Sequence, residues 1–207
     1  MEYLDIYDEN QKHIGKELRD IVHRDGLWHK TIHCWLYDKE GNVYFQIRKE
    51  EGTFYTTASG HVSAGETLQE AFGREIKEEI GLDIDYEESK QIDMVVWRMD
   101  RQKSDGTMFI DRAFASIFVY EFDGDYKDFN FQEAEVKGVV KVNAKDTLEL
   151  FKLNRKDVNA EIFSFDGKEN VLIKRNVKLS DFLITPGETQ LTKYGKVLEE
   201  IILLTNK

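Results

Sequence analysis

Three carboxylates on one face of one helix constrain this chain more than any other feature. The segment GHVSAGETLQEAFGREIKEEIGL, residues 60–82, predicts a helix from Thr67 to Ile80. Thr67 followed by Glu70 forms a capping box, Phe72, Ile76 and Ile80 recur at every fourth position, and Gly81 supplies the stop. At about 100° per residue, Glu75, Glu78 and Glu79 fall within an arc of roughly 100° that borders the apolar stripe. Like charges at this spacing cost an isolated helix roughly 0.2–0.5 kcal/mol per pair, a cost best tolerated when a cation sits between them. An acidic pair alone reads as a solvated surface, but the whole array does not. Oxygen donors at close quarters suit Mg²⁺ or Mn²⁺ better than zinc. Arg74 stands beside Glu75 and one turn before Glu78, where its fork can fix a carboxylate rotamer. Glu66 can fold back over the first turn, and Gly60 and Gly65 bracket a loop whose backbone can approach a ligand closely.

Gly60, Glu66, Arg74, Glu75, Ile76, Glu78, Glu79, Gly81 and Leu82 together resemble the Nudix box at all nine of its constrained positions, over 23 residues. The resemblance implies an α+β Nudix fold, a mixed sheet sandwiched between helices, and a divalent-metal hydrolase that cleaves the diphosphate linkage of a small nucleotide or nucleoside diphosphate-linked metabolite. By the same resemblance Glu75, Glu78 and Glu79 hold Mg²⁺ (or Mn²⁺), with the Gly60 carbonyl as a further ligand, while Glu66 and Arg74 support and orient them. The base that takes a proton from water stays open among Glu78, Glu79, Glu133 and Glu135.

The remaining sequence limits the partners. Among 207 residues, 40 are acidic and 29 basic, a net charge of -11, so most of the surface repels a phosphate backbone and long nucleic acid is excluded. No apolar run reaches the roughly 20 residues of a membrane span. The lone cysteine, Cys34, cannot form an internal disulfide, and a cytoplasmic setting is expected. Strands are predicted at Tyr3 to Tyr7, His29 to Tyr37, Asn42 to Arg48, Met94 to Met99, Arg112 to Phe122 and Val136 to Val142. Beyond a Nudix domain of residues 1–143, residues 144–207 read as an α/β extension: a helix from Ala144 to Leu153, the hairpin IFSF-DGKEN-VLIK, and a helix from about Gln190 to Leu204. Phe163, Phe165, Phe182 and the Ile201-Leu204 run offer apolar surface for a lid, a selector or a dimer face, and the family's frequent dimers make a homodimer an expectation.

Upstream of the box, VHRDGLWHKTIHCWLYDKEGNVYFQIRKEEGTFYTTASGH resembles the isopentenyl-diphosphate isomerase-like branch. His23, His29 and His61 match that enzyme's three metal-ligand histidines. Ser59 replaces its catalytic cysteine, and Phe109 and Asp111 stand where it carries two acidic residues. The pattern implies hydrolase chemistry on an isomerase-like scaffold, with the isomerase itself as the alternative and a non-catalytic nucleotide-binding regulator as a third reading. Substrate contacts are expected from His61, from Trp97 by stacking, and from Arg98 in a basic loop with Arg101 and Lys103.

Overall fold

Tyr3–Tyr7 (β1) and His13–Leu18 (β2) pair as a separate antiparallel hairpin, and the short helix Arg19–Asp25 (α1) leads from it into the long strand His29–Tyr37 (β3). The computed structural model describes residues 1–103, 105–165, 167–183 and 189–206. After β3 come Asn42–Arg48 (β4), the two short strands Phe54–Tyr55 (β5) and Ala58–His61 (β6), and the helix Leu68–Ile80 (α2). Next are Lys90–Gln102 (β7), Met108–Glu121 (β8), Val136–Asn143 (β9) and Ala144–Phe151 (α3), and the chain closes with Val158–Phe165 (β10), Asn170–Val177 (β11) and Thr189–Thr205 (α4). The last hairpin extends the main sheet and forms as expected, except that Asp166 at its tip lies outside the described residues.

Nine strands form one mixed sheet in the order β11-β10-β9-β4-β3-β8-β7, with β5 joined to β4 and β6 to β3. β3 and β8 run parallel. β3 and β4 pair only at Tyr37 and Val43, beside their turn, and then diverge. β6 takes up β3 from Thr31 to Cys34, and β5 takes up β4 at Gln46 and Ile47. This split brings the Ser59-Gly60-His61 backbone into the middle of the sheet, next to α2.

Alternation along the strands decides which helix covers which face. Ile32, Cys34 and Leu36 pack with Phe72, Ile76 and Ile80 of α2, all fully buried. Trp35, Tyr37, Val43 and Phe45 face the other way, against Leu148 of α3 and Leu198 and Ile201 of α4. The result is the expected sheet between helices. Phe182 is buried against Phe45, Phe54 and Phe151, whereas Leu203 is 66% exposed. No helix of the described residues is long and apolar enough to cross a membrane.

The α2 boundaries are those predicted. Thr67 Oγ accepts from the Glu70 N–H at 3.2 Å, and Glu70 accepts from the Thr67 N–H at 2.8 Å. Gly81 ends the helix at φ 78°, where a Cβ would come within 2.7 Å of the Asn130 carbonyl oxygen. Thr67→Ala is expected to remove about 1 kcal/mol and lower Tm by roughly 2–4 °C in a melt followed by circular dichroism. An unchanged Tm would show that packing of the apolar stripe alone fixes the helix start.

Three differences from the sequence reading have physical causes. β2 carries few buried side chains and α1 spans seven residues, so neither offers a periodic apolar signal. β7 and β8 run well past the predicted strand ends, so Arg101 lies on a strand and not in a loop, and Arg98 belongs to the strand predicted from Met94 to Met99 and not to the basic loop.

Candidate active site

The split between β3 and β4 opens a cleft of about 600 Å³. One wall is the carboxylate face of α2, organised by Arg74. Its guanidinium donates to Glu66 through Nε and Nη2, both at 2.8 Å, and to Glu75 at 2.7 Å and Glu78 at 3.3 Å. A further N–H reaches the His61 carbonyl at 2.9 Å, tying the helix to β6. Burial works to raise the Glu66 pKa, but the Arg74 fork and the Ser63 N–H outweigh it and hold the carboxylate below its usual value.

Glu75 and Glu79 behave in the opposite way. Burial pushes Glu75 up to about 7, against the pull of Arg74 and with a push from Glu78. Glu79, 6% exposed, is pushed by burial up to about 8, although it accepts from the Ser59 N–H at 2.7 Å and from the Gln46 amide at 3.4 Å. Gly60 lies so close to Glu75 that a Cβ there would stand 1.9 Å from the carboxyl carbon. A buried carboxylate and a half-buried one, both pushed up toward neutrality, a third at hand, and a bare backbone alongside fit a hard divalent cation.

Across the cleft lies a second donor set. His23 from α1, His29 from β3 and His61 from β6 place ligand atoms within 4.8 Å of one another, with the Nε2 atoms of His23 and His61 3.0 Å apart. Burial holds His23 and His29 down at about 4 and His61 well below its ordinary value, so all three are neutral. With His29 Nδ1 donating to the Leu27 carbonyl at 3.1 Å, His29 Nε2 keeps a lone pair, 3.4 Å from Asp111 Oδ1. Neither of those facing atoms has a hydrogen-bond partner among the described residues. Phe109 stacks on His23 at 4.3 Å, so Asp111 alone carries the carboxylate of that wall. Neutral imidazoles around acceptor-rich space fit a borderline ion better than Mg²⁺.

The remaining wall is basic and aromatic. Arg48 and Arg101 share Glu51 at 3.2 and 3.8 Å. Trp97 and His61 line the cleft. Arg98 does not: it lies over the Trp28 ring at 4.8 Å, because consecutive residues of a strand point to opposite faces. Of the two glutamates before β9, Glu135 reaches the cleft, while Glu133 is not among its lining residues. Arg48, Glu51 and Gln46 escaped the sequence reading. The available signal was Gln46 and Arg48 at alternate positions of an otherwise buried strand, sharing a face with Tyr44.

A family model described as NUDIX domain matches residues 27–162. An uncharacterized Nudix hydrolase of Clostridium acetobutylicum is 33% identical over 164 residues, which cover 75% of this chain and 76% of that protein. An isopentenyl-diphosphate Delta-isomerase of Serratia proteamaculans is 27% identical over 128 residues, 59% of this chain and 68% of the isomerase. Among solved structures, a Deinococcus radiodurans protein superposes with a TM-score of 0.54 at 19% identity, covering 74% of this chain and 90% of that one, a likeness of fold.

Proposed function

The chain belongs to the Nudix family, a hydrolase family acting on pyrophosphate bonds, and on that premise we propose a Mg²⁺-dependent enzyme that cleaves the diphosphate linkage of a small nucleotide or nucleoside diphosphate-linked metabolite. The observation that carries this reading is the convergence of half-buried Glu75, exposed Glu78 and buried Glu79 beside the Gly60 backbone, on one wall of a cleft whose facing wall carries Arg48 and Arg101. Glu75, Glu78 and Glu79, with the Gly60 carbonyl, would hold Mg²⁺ or Mn²⁺. When bound, the ion neutralises phosphate charge and lowers the pKa of water.

The chain's own residues do the rest. Arg74 fixes the rotamers of Glu66, Glu75 and Glu78. Arg48 and Arg101 exchange Glu51 for substrate phosphate oxygens, as their forks favour. A cleft carboxylate, Glu78, Glu79 or Glu135, accepts the proton of the attacking water. Water adds to one phosphorus, the bridging P–O bond breaks, and the other phosphate departs with the bridging oxygen. His61 and Trp97 flank the bound substrate. The histidine knot with Asp111 supplies a second, nitrogen-rich donor set suited to Mn²⁺ or Zn²⁺. The proposal includes a homodimer in the cytoplasm, a setting that keeps a lone thiol such as Cys34 reduced.

The histidine knot also favours the isomerase as a second reading. Against it stand Ser59, which has no thiol, and Cys34, which is fully buried on the α2 side of β3 with its pKa pushed well up by burial. Conversion of isopentenyl diphosphate to dimethylallyl diphosphate would reverse the ranking.

Coupled phosphate release from nucleoside triphosphates, dinucleotides, nucleotide sugars, coenzyme A and isoprenoid diphosphates tests the proposal. Release is expected with Mg²⁺, abolished by EDTA and restored by added metal. Silence across the panel from folded protein would sink it.

A further inference from the structure

The α4 side of the sheet is not packed solid. Strand alternation puts His33 and Trp35 of β3, Val95 and Trp97 of β7, and Ala115 and Ile117 of β8 on that face. Between them and α4 lies a cavity of about 410 Å³, closed on the helix side by Tyr194, Val197 and Leu203. Its size falls within the range of small-molecule sites. His33, Tyr55 and Trp97 line both this cavity and the catalytic cleft, so the two spaces adjoin across three rings. The His33 ring meets Tyr55 edge-on at 5.8 Å and Trp97 at 6.4 Å.

The lining indicates what chemistry belongs there. Its body is aliphatic and aromatic. The charged side chains that reach it pair with one another or with lysines nearby: Lys196 with Asp93 at 3.6 Å, Glu199 with Lys152 at 3.5 Å, and Glu200 with Lys90. Tyr194 is 5% exposed and its hydroxyl has no accessible surface, so it offers the cavity no donor. A nucleobase would bring several donors and acceptors against a lining whose ionic groups already pair with one another or with nearby lysines, and its unmatched polar atoms would count against it. An apolar group meets no such objection.

We propose that this cavity receives an alkyl or aryl group carried on the substrate's diphosphate. The inference rests on the hydrolase reading and narrows it: the metabolite linked to the nucleoside diphosphate is apolar, and α4 selects it. Trp97 then contacts the substrate where it passes from cleft to cavity.

The experiment has two arms. The first compares kcat/KM for the methyl, glucosyl, hexyl and phenyl esters of ADP. Hexyl and phenyl are expected to lead by about tenfold or more, and Val95→Phe, which fills the cavity from β7, is expected to shrink that lead by about tenfold through KM. A lead for the methyl or glucosyl ester, or a preference unmoved in Val95→Phe, overturns the inference. The second arm needs no turnover: phenyl phosphate and inorganic phosphate are titrated by calorimetry and by the fluorescence of Trp35 and Trp97. Phenyl phosphate is expected to bind about tenfold more tightly than inorganic phosphate, with the difference lost in Val95→Phe. Equal binding of the two counts against the cavity. If no ester is hydrolysed yet phenyl phosphate binds and Val95→Phe weakens it, the hydrolase reading falls and the cavity stands. Leu203→Phe, at the exposed rim, carries the same expectations should Val95→Phe fail to fold.

Discussion

Gly60→Ala is expected to cut metal-dependent phosphate release by about a hundredfold or more in a protein that still folds. The added Cβ would stand 1.9 Å from the Glu75 carboxyl carbon and 2.2 Å from both of its oxygens. Something must move, and the yielding atom is the end of a side chain, so the strain falls on the Glu75 rotamer and not on the β6 backbone. That rotamer is held by Arg74 at 2.7 Å, and Arg74 also holds Glu66 and Glu78, so displacing Glu75 disturbs the whole carboxylate face. Gly81→Ala makes a useful contrast. Its Cβ would meet the Asn130 backbone, and φ there is 78°, so the damage should appear as lost stability. Steady-state kinetics beside a thermal melt separates the two. A Gly60→Ala protein with wild-type turnover would show that Glu75 is not needed where the structure puts it.

What the sequence made legible was local. The β3–β4 hairpin and α2 appear with their predicted limits because each carries its own signal: a turn between two apolar strands, and a capped helix with a four-residue stripe and a glycine stop. The box glutamates converge because they share that helix. The meeting of His23, His29 and His61 depends instead on α1, β3 and β6 coming together, which the sequence carried only as a resemblance. Arg98 shows how strand alternation separates neighbours in sequence. Trp97 and Arg98 are neighbours in a predicted strand, so they could not both face one cleft. Arg48 and Arg101 approach through Glu51 across 50 residues or more, and the α4 cavity exists only once the last helix has packed on the sheet. Neither leaves a periodic trace.

The second large effect expected is at Glu79. Glu79→Gln keeps the size and shape of the side chain and a carbonyl oxygen for the Ser59 N–H, but removes the charge. Turnover is expected to fall by about a thousandfold, whether the carboxylate holds the cation or accepts the proton. Stability should move in the other direction. In the metal-free protein burial pushes Glu79 up to about 8 and Glu75 up to about 7, from an ordinary value of 4.5. Between pH 4.5 and 8 these two sites therefore bind more protons in the folded state than in the unfolded chain. His23, His29 and His61, held low by burial, act oppositely below about 6.5, so the glutamates set the sign above that value and stability declines as the pH rises from about 6.5 to 8. A cation takes the place of those protons. Wild-type Tm in EDTA should accordingly fall from pH 6.5 to pH 8 and recover at pH 8 on adding Mg²⁺. In Glu79→Gln the decline should be shallower, since only Glu75 still contributes, and the gain from Mg²⁺ should shrink. A metal-free wild type that grows more stable over that range, or a Glu79→Gln protein that melts with the same pH slope, would mean that the buried carboxylates are compensated by something other than a cation.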